Sequence, residues 1–444
     1  MTRRTFLKGS AATAAGAAWL GPAGLSYAEG GDKLRIGAIG VGNFGWTGIE
    51  NLNSHPDVAI NALIDVDQSM LESTTKAGEF VSPMWHDVRE FLEKGKDIID
   101  AVYIATPDHM HAPITMMALD LDKHVYCEGP LTKTVKEAKA IGKKSLDKFG
   151  IVTQLGCQRA ALPAKRFAVA QLRSGAIGAI KAIHAFTDAP NGWWANGSDY
   201  GKGEDAVPAN VKWDLWLGGA AERPFQGGLY HPGAWKGNVD FGSGPMGTMG
   251  CHILDTAFIG LGLTYPTSVT AESKGGTEKK YPDQSKVTFT FAANRRTVSD
   301  GMTLTWYDGG LTPDKAEAGI AADFDLKPNS MIVIGEEGTM VVHMDGENAM
   351  FKGGAQQPFE TDEGLTPRNH WQLWVDACMG FGECDLAFGV GARLTETCLL
   401  GGVASRVPGT KLEYDGRAGA FTNNDAANAM LDTDYRQGWS VPGL

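Results

Sequence analysis

The 444-residue chain is poor in the residues that hold metals: it has six cysteines and ten histidines, and they do not fall at metal-ligand spacing. Cys378 and Cys384 are the closest cysteine pair and no second pair lies nearby, so no metal is implied. Cys127, Cys157, Cys251 and Cys398 stand in apolar or turn contexts and read as buried free thiols. A disulfide in an oxidising compartment stays open, because sequence alone cannot pair them. Positive charge is also short. Lysine and arginine number 40 against 52 aspartates and glutamates, and the net charge of −12 argues against nucleic acid or an anionic membrane surface as a partner. The apolar stretch near the N-terminus, Ala11 to Leu20, is too short and too rich in alanine and glycine for a stable membrane span. No internal repeat is present.

That stretch follows Thr2-Arg3-Arg4-Thr5-Phe6-Leu7-Lys8, a twin-arginine signature, and precedes a Ser26-Tyr27-Ala28 cleavage site. Residues 1–28 therefore read as an export signal, and the mature protein is expected to begin near Glu29 and to work in the periplasm. The twin-arginine route carries folded proteins, which suits a protein that acquires a nucleotide before export. The length is large for one core, so two domains are expected. The 58 glycines are scattered among apolar segments and indicate turns rather than disorder.

The strongest motif is Leu34 to Gly45, LRIGAIGVGNFG. It reads as a buried parallel strand running into a tight turn, in which Gly40, Gly42, Asn43, Phe44 and Gly45 let backbone approach a pyrophosphate at a helix N-terminus. Val58 to Asp65 reads as a second strand with Asp65 at its end. A carboxylate there accepts hydrogen bonds from ribose hydroxyls and repels a 2′-phosphate, which predicts NAD rather than NADP. A third strand, Ile98 to Ala105, ends in Thr106-Pro107-Asp108-His109-Met110-His111, beyond the carboxyl end where doubly wound sheets bind ligands. Thr106 and Pro107 are expected beneath the nucleotide, with His109 and His111 toward its nicotinamide half; the alternative for the two histidines is a loop pair that caps the next helix. Lys123 to Cys127 is a fourth strand closed by Glu128-Gly129-Pro130, Thr134 to Glu137 is a capping box, and Ile151 to Gly156 leads to Gln158. The ends at Gly40, Asp65, Thr106, Glu128 and Gln158 would line one sheet edge.

Beyond residue 155 the reading is coarser. Arg166 to Leu172 reads as a helix, and Ala179 to Phe186 as a strand. Runs at 268–271, 286–291, 302–307, 331–334 and 338–343 read as strands of one sheet. Residues 369–379 and 389–401 read as apolar-striped helices that pack back on the core. Arg368, Asn369 and His370 open the first of these, within reach of the cleft. The glycine-rich segment from Asn191 to Asp240 holds Trp193, Trp194, Trp213, Trp216 and Trp235, which suit either a sugar platform or core anchors. The tail from Tyr414 is expected to be irregular.

With these residues in place, the chain resembles the Gfo/Idh/MocA family of sugar and cyclitol oxidoreductases. The resemblance rests on Gly40 to Gly45, Asp65, TPDHMHA at 106–112, Glu128-x-Pro130, PANVKWDLWLG at 208–218, YHPGAWKG at 230–237 and GTMGCHILD at 247–255. It implies an α/β protein: an N-terminal Rossmann domain (29–155) with a doubly wound parallel sheet, and a C-terminal α/β domain (156–444) with a large open, mostly antiparallel sheet that often mediates oligomers. It further implies bound NAD, Glu128 as a nicotinamide contact, and a carbohydrate or cyclitol partner. Two departures stand out. Gly129 replaces the lysine of the usual Glu-Lys-Pro, and Thr248 replaces the acid four residues before the active-site histidine, His252.

Oxidising a secondary alcohol requires a base for the hydroxyl proton. His252 is the leading candidate, with Tyr230 and His231 behind it; Lys133 reads more readily as solvated. The expected activity is oxidation of a sugar or cyclitol hydroxyl on tightly held NAD. The alternatives are a redox-neutral, NAD-dependent glycosidase and a non-catalytic protein that binds NAD and sugar.

Overall fold

The computed structural model describes residues 33–191, 203–359 and 364–444. The signal segment and Trp193 and Trp194 lie outside the described residues. Alternation of strand and helix begins at once: β1 (Leu34–Ile39), α1 (Phe44–Asn53), β2 (Val58–Ile64), α2 (Gln68–Ala77), β3 (Met84–Trp85), α3 (Val88–Lys94), β4 (Ala101–Ile104), α4 (Asp108–Asp120), β5 (His124–Glu128), α5 (Val135–Asp147) and β6 (Thr153–Gly156). The six strands form one sheet in the order β3-β2-β1-β4-β5-β6, and every pairing is parallel. β1 and β4 are apolar on both faces because helices cover both, as parallel sheets require. The capping box forms: the Thr134 hydroxyl accepts from the Glu137 N–H while the Glu137 carboxylate accepts from the Thr134 N–H.

The chain then runs through α6 (Pro163–Ser174), β7 (Ile180–Phe186), α7 (Trp213–Leu217), α8 (Gly244–Leu261), β8 (Ser268–Lys274), β9 (Gln284–Phe291), β10 (Met302–Tyr307), β11 (Ser330–Gly335), β12 (Thr339–His343), β13 (Asn348–Lys352) and β14 (Ala355–Gln357). It closes with α9 (His370–Cys378), α10 (Phe388–Arg406), β15 (Leu412–Asp415), β16 (Ala420–Phe421) and α11 (Asp425–Asn428). Ten strands make the second sheet, ordered β14-β13-β12-β11-β7-β10-β9-β8-β15-β16. Only the β7–β10 pairing is parallel; the others are antiparallel.

Two helices from late in the sequence join the halves. α9 lays Trp371, Trp374, Val375 and Cys378 into the apolar cluster of Leu34, Ile36, Tyr103 and Tyr126, so it belongs in space to the first sheet. α10 packs on both α5 and α8. Its approach to α8 is close enough that a Cβ on Gly250 would lie 2.7 Å from Cys398 Sγ. The tail departs from expectation. Rather than running irregularly from Tyr414, it adds β15 and β16 to the sheet edge and buries Phe421, Leu431, Trp439 and Val441. Apolar side chains spaced without a period gave no local signal for this, since their burial depends on surfaces made by distant segments. All six cysteines are free, and among the described residues no cluster of histidine, cysteine or carboxylate could hold a metal ion.

Candidate functional site

The turn after β1 closes on itself because three positions carry no side chain. Gly40 has φ +80°, and a Cβ there would lie 2.7 Å from the Ala105 backbone. A Cβ on Gly45 would lie 2.0 Å from the Gly40 carbonyl oxygen, and one on Gly42 would meet Met70 Sδ at 2.6 Å. The loop thus needs glycine to let α1 start directly behind it, and the N-terminus of α1, with its positive dipole end, opens onto a cleft. Asp65, just past β2, ties this loop down: Oδ2 accepts from the Val41 N–H at 2.9 Å and Oδ1 from the Asp67 N–H at 2.9 Å. Burial raises its pKa, and those two hydrogen bonds oppose the rise.

The cleft encloses about 400 Å³, a volume typical of small-molecule sites. Gly40, Gly42, Asn43, Phe44, Gly45, Asp65, Thr106 and Pro107 all line it. A cradle of glycines, a helix N-terminus and a carboxylate at the end of the neighbouring strand fit the pyrophosphate and ribose of a dinucleotide.

The remaining cofactor candidates point elsewhere. His109 Nε2–H donates to the Trp216 carbonyl at 3.1 Å, and the ring packs edge-on to Phe241; burial lowers its pKa to about 3. The ring nitrogens of His111 lie 2.8 Å from the Thr106 carbonyl oxygen and 2.7 Å from that of Pro130, so this histidine fastens two strand-end loops together. Glu128 and Gln158 face a buried polar network under the sheet edge. Glu128 accepts from Tyr103 Oη–H at 2.9 Å, from the Gln158 amide at 2.6 Å and from Trp371 Nε1–H at 3.4 Å. Burial nevertheless pushes its pKa up to about 7. None of these four lines the main cleft; His109 and His111 hold Trp216 and Thr106, which do.

At the far end of the sheet edge, His252 on α8 faces the backbone of Gly129. A Cβ at Gly129 would lie 3.8 Å from His252 Nε2 and 3.3 Å from the Gly156 carbonyl oxygen. Nδ1 of His252 is buried without a hydrogen-bond partner among the described residues. Burial, reinforced by the positive charges of Lys165, Arg159 and Lys236, holds its pKa near 3. Lys165 is itself buried; it pairs with Asp255 and donates to the His252 carbonyl at 2.8 Å, which fixes this turn of α8.

Tyr230 and His231 are not brought to His252. Tyr230 is 1% exposed and packs against Trp213, Trp216 and Phe241, an aromatic core that forms where the glycine-rich segment has little regular structure to bury. His231 does reach the cleft wall, but its Nε2–H donates to Asp67 Oδ2 at 2.7 Å, just beyond β2. Strand order puts that point three strands from the β5 end, about 14 Å at 4.8 Å per spacing. The described tryptophans divide: Trp213 stacks on Trp216 at 4.8 Å inside the cluster, while Trp216 and Trp235 also line the cleft. Asn369 caps α9 and Arg368 pairs with Asp385, so neither enters the cleft. His370 sits instead in the Glu128 network, against Tyr126 Oη at 2.9 Å.

Sequence reasoning missed Lys236. It lines the cleft, its ammonium lies 4.6 Å from the Trp235 ring centre, and no carboxylate pairs with it among the described residues. Burial lowers its pKa against the pull of Asp108. Lys133, read as solvated, is also shifted down by burial, with Glu137, Asp240 and Asp108 opposing. No local pattern marks either lysine, because their direction is set by packing of segments far apart in the chain.

Sheet order and cleft together define a dinucleotide-binding α/β protein with a second, mostly antiparallel sheet. The chain belongs to the Gfo/Idh/MocA oxidoreductase family: residues 34–152 match its NAD-binding Rossmann domain and residues 190–306 its C-terminal alpha/beta domain. Residues 1–21 match the twin-arginine translocation signal. Among relatives, an inositol 2-dehydrogenase/D-chiro-inositol 3-dehydrogenase of Lacticaseibacillus casei is 30% identical over 159 residues, 36% of this chain and 45% of that protein. A glycosyl hydrolase family 109 protein of Saccharopolyspora erythraea is 32% identical over 165 residues, 31% of this chain and 35% of that protein. The chain thus spans less than half the length of these curated relatives. A levoglucosan dehydrogenase in complex with NADH and L-sorbose shares the fold at TM-score 0.60 and 17% identity, covering 86% of this chain and 99% of that one. An aldose-aldose oxidoreductase from Caulobacter crescentus does so at TM-score 0.59 and 17% identity, covering 86% and 100%.

Proposed function

We propose that the protein oxidises a hydroxyl of a sugar or cyclitol on a tightly held NAD and works in the periplasm. The observation that carries this reading is one sheet edge with a glycine cradle and Asp65 at one end and His252 facing Gly129 at the other. The Asp65 carboxylate disfavours a 2′-phosphate, hence NAD over NADP. NAD, when bound, would supply the hydride acceptor, and a carbonyl compound such as a second sugar would take the hydride back so that the held nucleotide turns over.

The residues divide the remaining work. A proton must leave the substrate hydroxyl, and a useful base has a pKa near the working pH. With its pKa near 3, His252 is neutral and accepts a hydrogen bond well, but three nearby cations disfavour imidazolium. We therefore assign His252 to orienting the hydroxyl. Proton acceptance goes to Lys236, whose amine form burial favours, in the role the family gives to a lysine at position 129.

The test uses purified protein with its own nucleotide, mixed with monosaccharides, cyclitols and glycosides, while nicotinamide reduction and released sugar are followed together. Reduction without released sugar is the expected result. Lys236→Met should lower kcat at least 100-fold, counted per molecule that carries nucleotide, whereas His252→Asn should keep more activity than His252→Ala. Retained turnover in Lys236→Met removes that residue from the mechanism. The similarity to glycosyl hydrolase family 109 proteins favours a second reading, a redox-neutral glycosidase, which would release sugar with little net reduction. Gly129 and Thr248 favour a third, a protein that binds NAD and sugar without turnover; silence in both channels, with NAD held and sugar bound, would select it.

A further inference from the structure

The end of the chain reaches the nucleotide cleft. The Arg436 N–H donates to the Gly219 carbonyl at 3.0 Å, and its guanidinium donates to the Gly218 carbonyl at 2.5 Å and to Asp214 Oδ1 at 2.6 Å. From the first domain, Arg89 Nη1–H donates to the Gly438 carbonyl at 3.0 Å, and the Arg89 guanidinium lies 3.9 Å from the centre of the Trp439 ring. Arg89 is itself held by Asp87, which accepts Nε–H at 3.0 Å and Nη2–H at 2.6 Å. Trp439 is 4% exposed and Val441 8%, so the segment is packed down rather than draped over the surface.

Trp439 lines the same cleft as Gly40, Asp65, His86 and Asp87. These are the residues past β1, β2 and β3, the end opposite Gly129 and His252. In doubly wound sheets the adenosine lies beyond the strand that carries the ribose-binding carboxylate, here β2 with Asp65. One face of the indole is covered by the guanidinium. At 4% exposure the ring meets the cleft with only a small part of its surface, which suffices for an edge contact with the face of a flat purine.

We propose that the C-terminal segment Tyr435–Leu444 is a wall of the nucleotide site, with Trp439 packing on the adenine ring and slowing its release. The proposal rests on the assignment of the cleft to NAD. Escape of the adenosine end then requires the segment to detach from α7 and the Gly218–Gly219 turn that follows it, and from Arg89. Such retention suits a protein exported folded into a compartment without a nucleotide supply.

The experiment compares full-length protein with Trp439→Ala and Trp439→Phe. Each is loaded with radiolabelled NAD and chased with excess unlabelled NAD, and release is timed; thermal melts verify folding. Trp439→Ala should release label at least tenfold faster than wild type, with Trp439→Phe between them. Equal rates in wild type and Trp439→Ala would overturn the proposal while leaving the NAD site intact. A wild-type protein that neither carries nor takes up NAD would overturn the underlying assignment as well. A chain ending at Asp434 should release label faster still, and if it does not fold the point variants decide.

Discussion

Glu128 shows how much one residue's meaning depends on what surrounds it. Its place at the end of β5 was legible, but the Tyr103, Gln158 and Trp371 donors that surround it come from β4, the loop after β6 and α9. Its pKa rises from an ordinary 4.5 to about 7 on folding. Between those values the native protein keeps a proton that the unfolded chain has released, so stability falls as pH rises through the window and is level above it. The contribution is about 3 kcal/mol. Glu128→Gln should remove this slope, and the difference between variant and wild-type denaturant midpoints from pH 4.5 to 8 measures it. A difference that does not change with pH would show that Glu128 is charged throughout. Gly129 is the complementary case. Its lack of a side chain was plain in the sequence, yet that it leaves His252 Nε2 facing open backbone required the fold. Gly129→Lys with Thr248→Asp should create turnover if the protein is a disabled dehydrogenase, and should impair an enzyme that relies on Lys236.

Elements with local signals were read well. The glycine loop, β2, the capping box of α5 and the strands of the second sheet follow from period, turn residues and caps within a few positions of each other. What decides their spacing is less local. Gly48 lies in the middle of α1, where alanine is the better helix former by about 1 kcal/mol. A Cβ there would lie 2.0 Å from Tyr103 Oη, the hydroxyl that donates to Glu128. Gly48→Ala should therefore destabilise the protein by about 1–3 kcal/mol despite the propensity gain, because β4 and α1 must separate. Urea unfolding of the variant checks this; a stabilised protein would mean that Tyr103 moves freely. Gly45→Ala places a Cβ against backbone rather than a side chain, so it should also weaken NAD retention at least tenfold, read as nucleotide content after dialysis.

For the whole molecule, the cleft joins parts far apart in sequence: the loop after β1, the segment at 231–236, and Trp439 near the C-terminus. A ligand bound to all of them binds only the folded state. Stripping the nucleotide should lower Tm, and adding NAD back at 100 times its Kd should restore about 2.7 kcal/mol. Differential scanning with and without NAD tests this. An unchanged Tm would mean that the cleft does not hold the nucleotide. A shift that depends on Trp439 would connect whole-molecule stability to the C-terminal segment.

By itself the sequence determined the parallel dinucleotide-binding sheet, the principal strands of the second sheet and the twin-arginine signal, because strand period, glycine turns and short motifs are written within a few residues of one another. Tertiary structure decided that Tyr230 is core, that His231 serves the β2 end, that Lys236 faces the cleft and that the tail closes on Trp439. Those outcomes depend on which surfaces meet across hundreds of residues. Side-chain direction and burial, which set both pKa and access to a ligand, exist only once those surfaces are in contact.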